Sequence, residues 1–422
     1  MKKLSAMAEL ANRVVSQGRD LGLGHLKVQE VLDNGKSILV NDKKLVSFSN
    51  CGYLGLEFHP QLIKAAKEAT DRYGTHFSSS RSFLELSIFE ELEYLLSEIF
   101  GKPTLYAQST TLGHIAVIPT IMDAGDALIL DHRVHNSISN AASIVKARGT
   151  YVEVIRHNNM EMLESRIQKL QDKYDRVWYM ADGVYSMLGD TAPVGQLHEL
   201  MDKYEKFHVY YDDAHGMSWT GFNGSGYILN KTVYHDKMVL ITSLGKGFGT
   251  LGSALVMPDK ETHTLVRNIG ATLMFSIQPQ PTTVAASIAS AKLHLSNEIA
   301  EQQRKIRANI AYFNLTAKAR RLPLASPENT PIFYLGIGSP EATFAISRKA
   351  INSGFYINSV VYPAVPHKNT GLRITVTANH TYADIFELLS CIGEEFNGME
   401  RKNVVNREEI VRAFEGEKIR MS

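Results

Sequence analysis

Residues 238–252 read Met238-Val-Leu-Ile-Thr-Ser-Leu-Gly-Lys-Gly-Phe-Gly-Thr-Leu-Gly252. An apolar, β-branched run ends at one hydroxyl, Ser243, and a single lysine, Lys246, then stands among Gly245, Gly247 and Gly249. Glycines let the backbone come close to a ligand, so a lysine just past a buried strand is a candidate Schiff-base lysine. Gly247, Gly249 and Gly252 also spell G-x-G-x-x-G, the dinucleotide fingerprint. That fingerprint needs a helix after the glycines, whereas Ser253-Ala-Leu-Val-Met257 continues as another apolar, strand-like run. The nucleotide reading therefore falls. Taken alone, the segment also reads as an exposed lysine in a glycine-rich turn.

Upstream, Val209, Tyr210 and Tyr211 form a strand that runs into Asp212, with His215 shortly after. A carboxylate at the end of a buried strand is costly unless it faces a cation. A protonated pyridine nitrogen would be such a cation, and would keep Asp212 ionised in return. A helix cap beside an incidental histidine is the plainer alternative for Asp212 and His215. Two more strands end in the same way. Ala127-Leu-Ile-Leu130 runs into Asp131, then Arg133, His135, Asn136 and Ser137; Val177-Trp-Tyr-Met-Ala181 runs into Asp182, then Gly183, Tyr185 and Ser186. Open α/β sheets bind ligands at the carboxyl ends of their strands, so these groups converge on one crevice.

Together the residues resemble a family. Asp212-Asp-Ala-His215 followed by Ser243-x-Gly-Lys246 is similar to the fold-type-I pyridoxal-phosphate enzymes, and specifically to the α-oxoamine synthases. The likeness covers residues 45–395. Ser49-Asn-Cys-Gly-Tyr-Leu-Gly-Leu56, Asp131-x-x-x-His135-x-Ser137, Asp182-Gly-Val-Tyr-Ser-Met-x-Gly-Asp190 and Leu372-Arg-Ile-Thr-Val-Thr-Ala-Asn-His380 resemble the family's motifs in the family's order. The expected fold is α/β: a large domain with a mostly parallel central sheet, plus a smaller C-terminal α/β domain.

Composition sets bounds on partners and compartment. With 422 residues the chain has core enough for both domains. Lys+Arg 45 against Asp+Glu 44 leaves no basic excess for nucleic acid. Only two cysteines, Cys51 and Cys391, favour a reducing cytoplasm over a disulfide framework. No apolar run reaches transmembrane length, and the charged N-terminus has no secretory core. Leu4, Met7, Ala11 and Val14 fall at helical spacing and suggest one face, for a partner subunit rather than a membrane.

The expected organisation is an N-terminal arm over 1–45 with a short strand at Lys36–Val40, then a large domain over 46–295. A long helical pattern near 283–320 leads to a small domain over 296–397, with strands at Pro331–Leu335, Phe355–Ile357 and Leu372–Thr377. A charged tail over 398–422, with Ile410, Val411 and Phe414 as its apolar positions, reads as a solvated surface helix.

The resemblance implies a site and a reaction. Lys246 would hold pyridoxal 5′-phosphate and move the substrate's α-proton, and Asp212 would keep the ring nitrogen protonated. His215 and Ser186 resemble groups that hydrogen-bond the ring's phenolic oxygen, and His135 the histidine that stacks over the ring. Thr110 and Thr111, at a helix start, and Ser243 are the candidate phosphate ligands. Ser276 matches a segment that in the family reaches the neighbouring subunit's phosphate. The reaction is decarboxylative condensation of an amino acid with an acyl-CoA, in a homodimer with its site at the subunit interface. Two departures concern the amino substrate. The carboxylate-binding arginine of the oxononanoate synthases is Val361 here, and Asn358–Pro366 is more like bacterial serine palmitoyltransferases, in which the counterparts of Arg373 and Asn50 hold the carboxylate. Asp182 and Tyr185–Gly189 resemble the autoinducer-type synthases instead. Arg373 paired with a surface acid would be the structural alternative, and Arg81 the next candidate cation. An aminotransferase and a catalytically silent partner subunit are the other functions to weigh; His135 speaks against the first and Lys246 against the second.

Overall fold

The computed structural model describes residues 6–325 and 328–419. A small sheet opens the fold with β1 (Glu30–Leu32), β2 (Ser37–Val40) and β3 (Lys43–Ser47). The central sheet follows: β4 (Thr104–Ala107), β5 (Asp126–Asp131), β6 (Tyr151–Ile155), β7 (Arg176–Asp182), β8 (Phe207–Asp212), β9 (Met238–Ser243) and β10 (Ser253–Val256). The chain ends with β11 (Ile332–Gly336), β12 (Phe355–Tyr356), β13 (Asn358–Val360) and β14 (Gly371–Thr375), between helices.

The central sheet has the order β4-β10-β9-β8-β7-β5-β6. Neighbours from β9 to β6 pair in parallel, and β10 alone runs antiparallel to both β4 and β9. The strands β5, β8 and β9 are buried almost throughout because helices cover both faces, which is why their sequences are continuous apolar runs without alternation. In register, Asp182 lies opposite Asp212, so the two carboxyl groups leave the sheet side by side. The apolar run after Gly252 is β10, as its sequence predicts.

Several boundaries differ from the sequence expectations. The N-terminal arm is a three-stranded piece, and β3 pairs in parallel with β12, so residues 30–47 are tied to the small domain. Of the predicted N-terminal face, Leu4 lies outside the described residues, while Ala11 and Val14 are half-exposed on the helix Ala6–Asp20. The long helix expected over 283–320 is two, Pro281–His294 and Glu298–Ala319, broken at Leu295–Asn297. The tail is also not a purely solvated helix. Its helix Arg407–Ile419 buries Ile410 and Phe414 against Gly336 and Gly338, where the missing side chains make room for them. Charge on the remaining faces hid that seam from the sequence reading.

Candidate active site

The carboxyl ends of β7, β8 and β9 and the N-terminus of the helix Thr110–Ile121 enclose a cavity of about 290 Å³. Thr110, Thr111, His135, Asp212, His215, Ser243 and Lys246 all line it, so most of the sequence-predicted residues meet in one place. The lysine loop fits because of its glycines. Gly249 (φ +81°) and Gly252 (φ +113°) are left-handed, and Cβ atoms there would lie 2.6 Å from Leu56 and 2.3 Å from the Tyr106 ring. The loop is thereby wedged against the Ser49–Leu56 segment.

The electrostatics divide the two carboxyl groups. Burial alone would push Asp212 up. It is outweighed by the hydrogen bond from His114 (Nε2 to Oδ2, 2.9 Å), the Lys246 charge and the Ala214 amide (2.9 Å to Oδ1), which together hold Asp212 below the usual carboxylate range. His114 is itself held by Tyr210, whose hydroxyl lies 2.8 Å from Nδ1. Asp182, fully buried and beside the Asp212 charge, is pushed well above the usual carboxylate range. Two neighbouring carboxyls pushed in opposite directions mark a site that handles protons. Burial also lowers Lys246 and, helped by the charge of Lys246, keeps His215 neutral. The Tyr53 hydroxyl sits 2.6 Å from His215 Nδ1 and fixes that ring.

At the phosphate end, Ser109 caps the helix by accepting from the Leu112 amide (3.2 Å), leaving Thr110 and Thr111 on the cavity wall. Helix N-terminal amides and hydroxyls suit a phosphate dianion. The Asp131 frame works behind the wall: its oxygens accept from His157, Tyr179 and the Asn158 amide, and His135 caps the next helix while its own amide donates to Asp182. A lysine, a held anion, a neutral histidine and a helix N-terminus fit pyridoxal 5′-phosphate as a resident cofactor.

Three expectations come out differently, those for Ser186, Asn50 and Arg81. Ser186 lines the neighbouring cavity rather than this one. Asn50 is engaged locally, its amide donating to the Gly35 carbonyl (3.1 Å) and accepting from Gly52. Arg81 is buried between Glu85 and Glu93, which neutralise it and remove it as a carboxylate receptor. Ser276 donates to Gln108 (3.3 Å) outside the cavity. Arg373, by contrast, has no acidic partner among the described residues; its Nε donates to the Ser186 carbonyl (2.7 Å), and its charge is felt by Lys246 and His215. The surface-acid alternative for Arg373 is therefore removed. Sequence reasoning missed His114 and Tyr53. A histidine inside the otherwise apolar helix Thr110–Ile121 was the available signal for the first.

Comparison with known proteins places the chain. The model of the family described as aminotransferase class I and II matches residues 43–392. The chain is 31% identical over 369 residues to an 8-amino-7-oxononanoate synthase of Thermoanaerobacter pseudethanolicus, covering 86% of this chain and 91% of that one. The chain belongs to the aminotransferase class I and II family, within its α-oxoamine synthases. A serine palmitoyltransferase of Sphingobacterium spiritivorum is 28% identical over 378 residues, covering 87% of this chain and 90% of the other. In fold, the chain is similar to Sphingomonas wittichii serine palmitoyltransferase, with a TM-score of 0.85 at 21% identity over 96% of this chain and 100% of that one.

Proposed function

We propose that this α-oxoamine synthase joins an amino acid to an acyl-CoA with loss of carbon dioxide, giving an α-amino ketone. It is a pyridoxal-phosphate-dependent acyltransferase. When bound, the cofactor supplies an electron sink for the negative charge that develops on the substrate's α-carbon. The observation that carries the reading is Asp212, held ionised by His114 in the same cavity as a lysine whose amine is pushed toward its neutral form. Lys246 holds the cofactor and, once released, takes the α-proton and later returns one. Asp212 keeps a proton on the ring nitrogen by its charge. Thr110, Thr111 and Ser243 bind the phosphate, and His135 shields the ring from water. Incubating the protein with amino acids and a panel of acyl-CoAs, with mass spectrometry of the products, tests the reading. An amino ketone and free CoA support it; an amino-exchanged oxo acid returns the enzyme to aminotransfer.

The substrate carboxylate goes to Arg373, a cation with no acidic partner among the described residues. Arg373→Ala raises the amino-acid dissociation constant by about ten- to a hundredfold, the loss expected for a charge-assisted pair of roughly 1.5–3 kcal/mol. Titration of the cofactor absorbance with amino acid measures it, and unchanged binding removes Arg373 from the role.

His114 acts through Asp212. In His114→Leu the main restraint on Asp212 is lost, burial prevails and its pKa rises. Asp212 is then protonated at a higher pH, so the acid limb of kcat moves upward in pH. The same shift appears in the pH titration of the bound cofactor's spectrum. His114→Asn, which keeps a donor, restores part of it. An acid limb that stays in place in His114→Leu disproves the coupling.

No helix among the described residues is long and apolar enough to cross a membrane. We take the enzyme to be a cytoplasmic homodimer. Phe83, Leu84, Phe275 and Ile277 are exposed around the Ser276 segment, held together by hydrogen bonds from Ser80 to the Met274 carbonyl and from Gln278 to the Leu84 carbonyl. An apolar patch of this kind suits a second copy beside the active site.

A further inference from the structure

Both ring nitrogens of His157 face carboxylates. Nδ1 lies 2.9 Å from Asp131 Oδ1, and Nε2 lies 2.5 Å from Asp190 Oδ2. A neutral imidazole donates from one nitrogen only, so this pair of contacts calls for the imidazolium. Burial opposes the charge, but the two carboxylates outweigh it and raise the His157 pKa above the ordinary histidine value. Three further groups face the cluster. Arg133 Nη1 is 3.3 Å from Asp190 Oδ2, the Tyr179 hydroxyl donates to Asp131, and the Tyr185 ring meets the imidazole edge-on with centroids 4.4 Å apart. Burial raises both phenols well above their usual range, so neither adds a charge. A larger cavity than the cofactor's, of about 750 Å³, lies beside the cluster and gives the imidazole a route for proton exchange. His157, Tyr185 and Asp190 line it, with exposed His132 and Arg156 at its edge and uncharged Val365, Asn369 and Phe414 opposite.

Loss of the proton does not release the two carboxylates equally. Asp131 keeps the Tyr179 hydroxyl and the amides of Asn158 and Arg133. Asp190 keeps the longer Arg133 contact, and its Oδ1 has no hydrogen-bond partner among the described residues. The side that loosens is therefore the loop after β7. Tyr185 closes that loop by donating its amide to the Asp190 carbonyl (2.8 Å), and the next carbonyl, that of Ser186, accepts from Arg373 Nε (2.7 Å). One run of contacts thus leads from the imidazole, through Asp190 and the loop, to the guanidinium.

We propose that His157, as an imidazolium, is a positioning residue for amino-acid binding: it pins the β7 loop through Asp190, and the loop's Ser186 carbonyl sets Arg373 for the substrate carboxylate. Deprotonation at alkaline pH releases the loop. The sign follows from linkage. A histidine raised in the folded protein contributes fully below the ordinary histidine range, and its contribution is lost as pH rises through the raised value. The inference rests on the reading of Arg373 as carboxylate receptor and makes that reading dependent on pH.

The test uses the full chain loaded with cofactor and compares alanine with ethylamine, and serine with ethanolamine, across pH. Each pair differs by the carboxylate, and both dissociation constants are read from the cofactor absorbance. Titration of Lys246 or His215 acts on both members of a pair, so their ratio isolates the carboxylate. In the parent, the preference for the amino acid falls by about tenfold as pH rises, within the loss that a misplaced binding group produces. In His157→Gln, neutral at every pH, the preference stays at the low level throughout. In Asp190→Asn one of the two carboxylates is gone, so the His157 pKa drops and the fall comes at lower pH. Amine binding stays at the parental value in both variants. Asp190→Asn decides alone if His157→Gln does not fold. A parental profile in the variants overturns the inference and leaves Arg373 its role. Amine and amino acid weakened equally make His157 a merely structural part, which also overturns it. A preference that survives Arg373→Ala removes the reading of Arg373, and the inference with it.

Discussion

Lys246→Ala is expected to lose turnover by more than about ten-thousandfold, beyond the upper range that proton transfer alone contributes. The change removes two roles at once, since Lys246 both anchors the cofactor and moves the α-proton. The site itself should survive. Asp212 is held by His114 and Ala214, His215 by Tyr53, and the helix capped by Ser109 does not depend on the lysine. The variant therefore folds and still takes up cofactor, now exchangeable by dialysis. Borohydride treatment of the parent, followed by peptide mapping, places the cofactor on Lys246 and leaves none on the variant. A label on another lysine refutes the assignment.

Asp212→Asn slows α-proton exchange by about a hundred- to thousandfold, the scale of losing one preorganised electrostatic contact to developing charge. The surroundings sharpen the expectation. After burial, the Asp212 charge is the leading cause that raises Asp182, so its removal lets Asp182 ionise more readily. Residual activity in the variant should therefore rise with pH as Asp182 takes up the negative charge one strand away. Deuterium exchange at the α-carbon of a bound amino acid, followed by NMR across pH, measures both effects. Exchange at the parental rate would falsify the electron-sink role of Asp212.

The sequence made the centre of the site legible because parallel strands announce their carboxyl ends: an apolar run stops and the polar group after it enters the crevice. Asp212, Lys246 and His135 were readable in that way, whereas the Thr110–Thr111 helix start came from the family resemblance. His114 was not, because a histidine on an apolar helix is a signal without a partner until the strand it faces is known, and Tyr210 and Asp212 reach it only through the sheet. The surroundings of Asn50 and Arg81 were not readable for a related reason. Each is polar at a family-like position, but its partners, the Gly35 carbonyl for one and Glu85 with Glu93 of the helix Ile88–Phe100 for the other, are brought to it by tertiary packing that no periodic pattern encodes. Ile410 and Phe414 were overlooked as core because they are few among charged neighbours, and their counterpart is an absence, the bare backbone of Gly336 and Gly338.

That last contact bears on how the protein is made. Phe414 lies C-terminal to every other residue that lines the larger cavity, so during vectorial synthesis the remaining walls emerge from the ribosome first. A nascent chain can close its sheet and assemble the cofactor cavity while the adjoining chamber is still open to water on one side. The chamber closes only when the final helix settles onto Gly336. Premature termination just before residue 407 would thus yield a polypeptide with its proton-handling machinery in place and a breached chamber beside it.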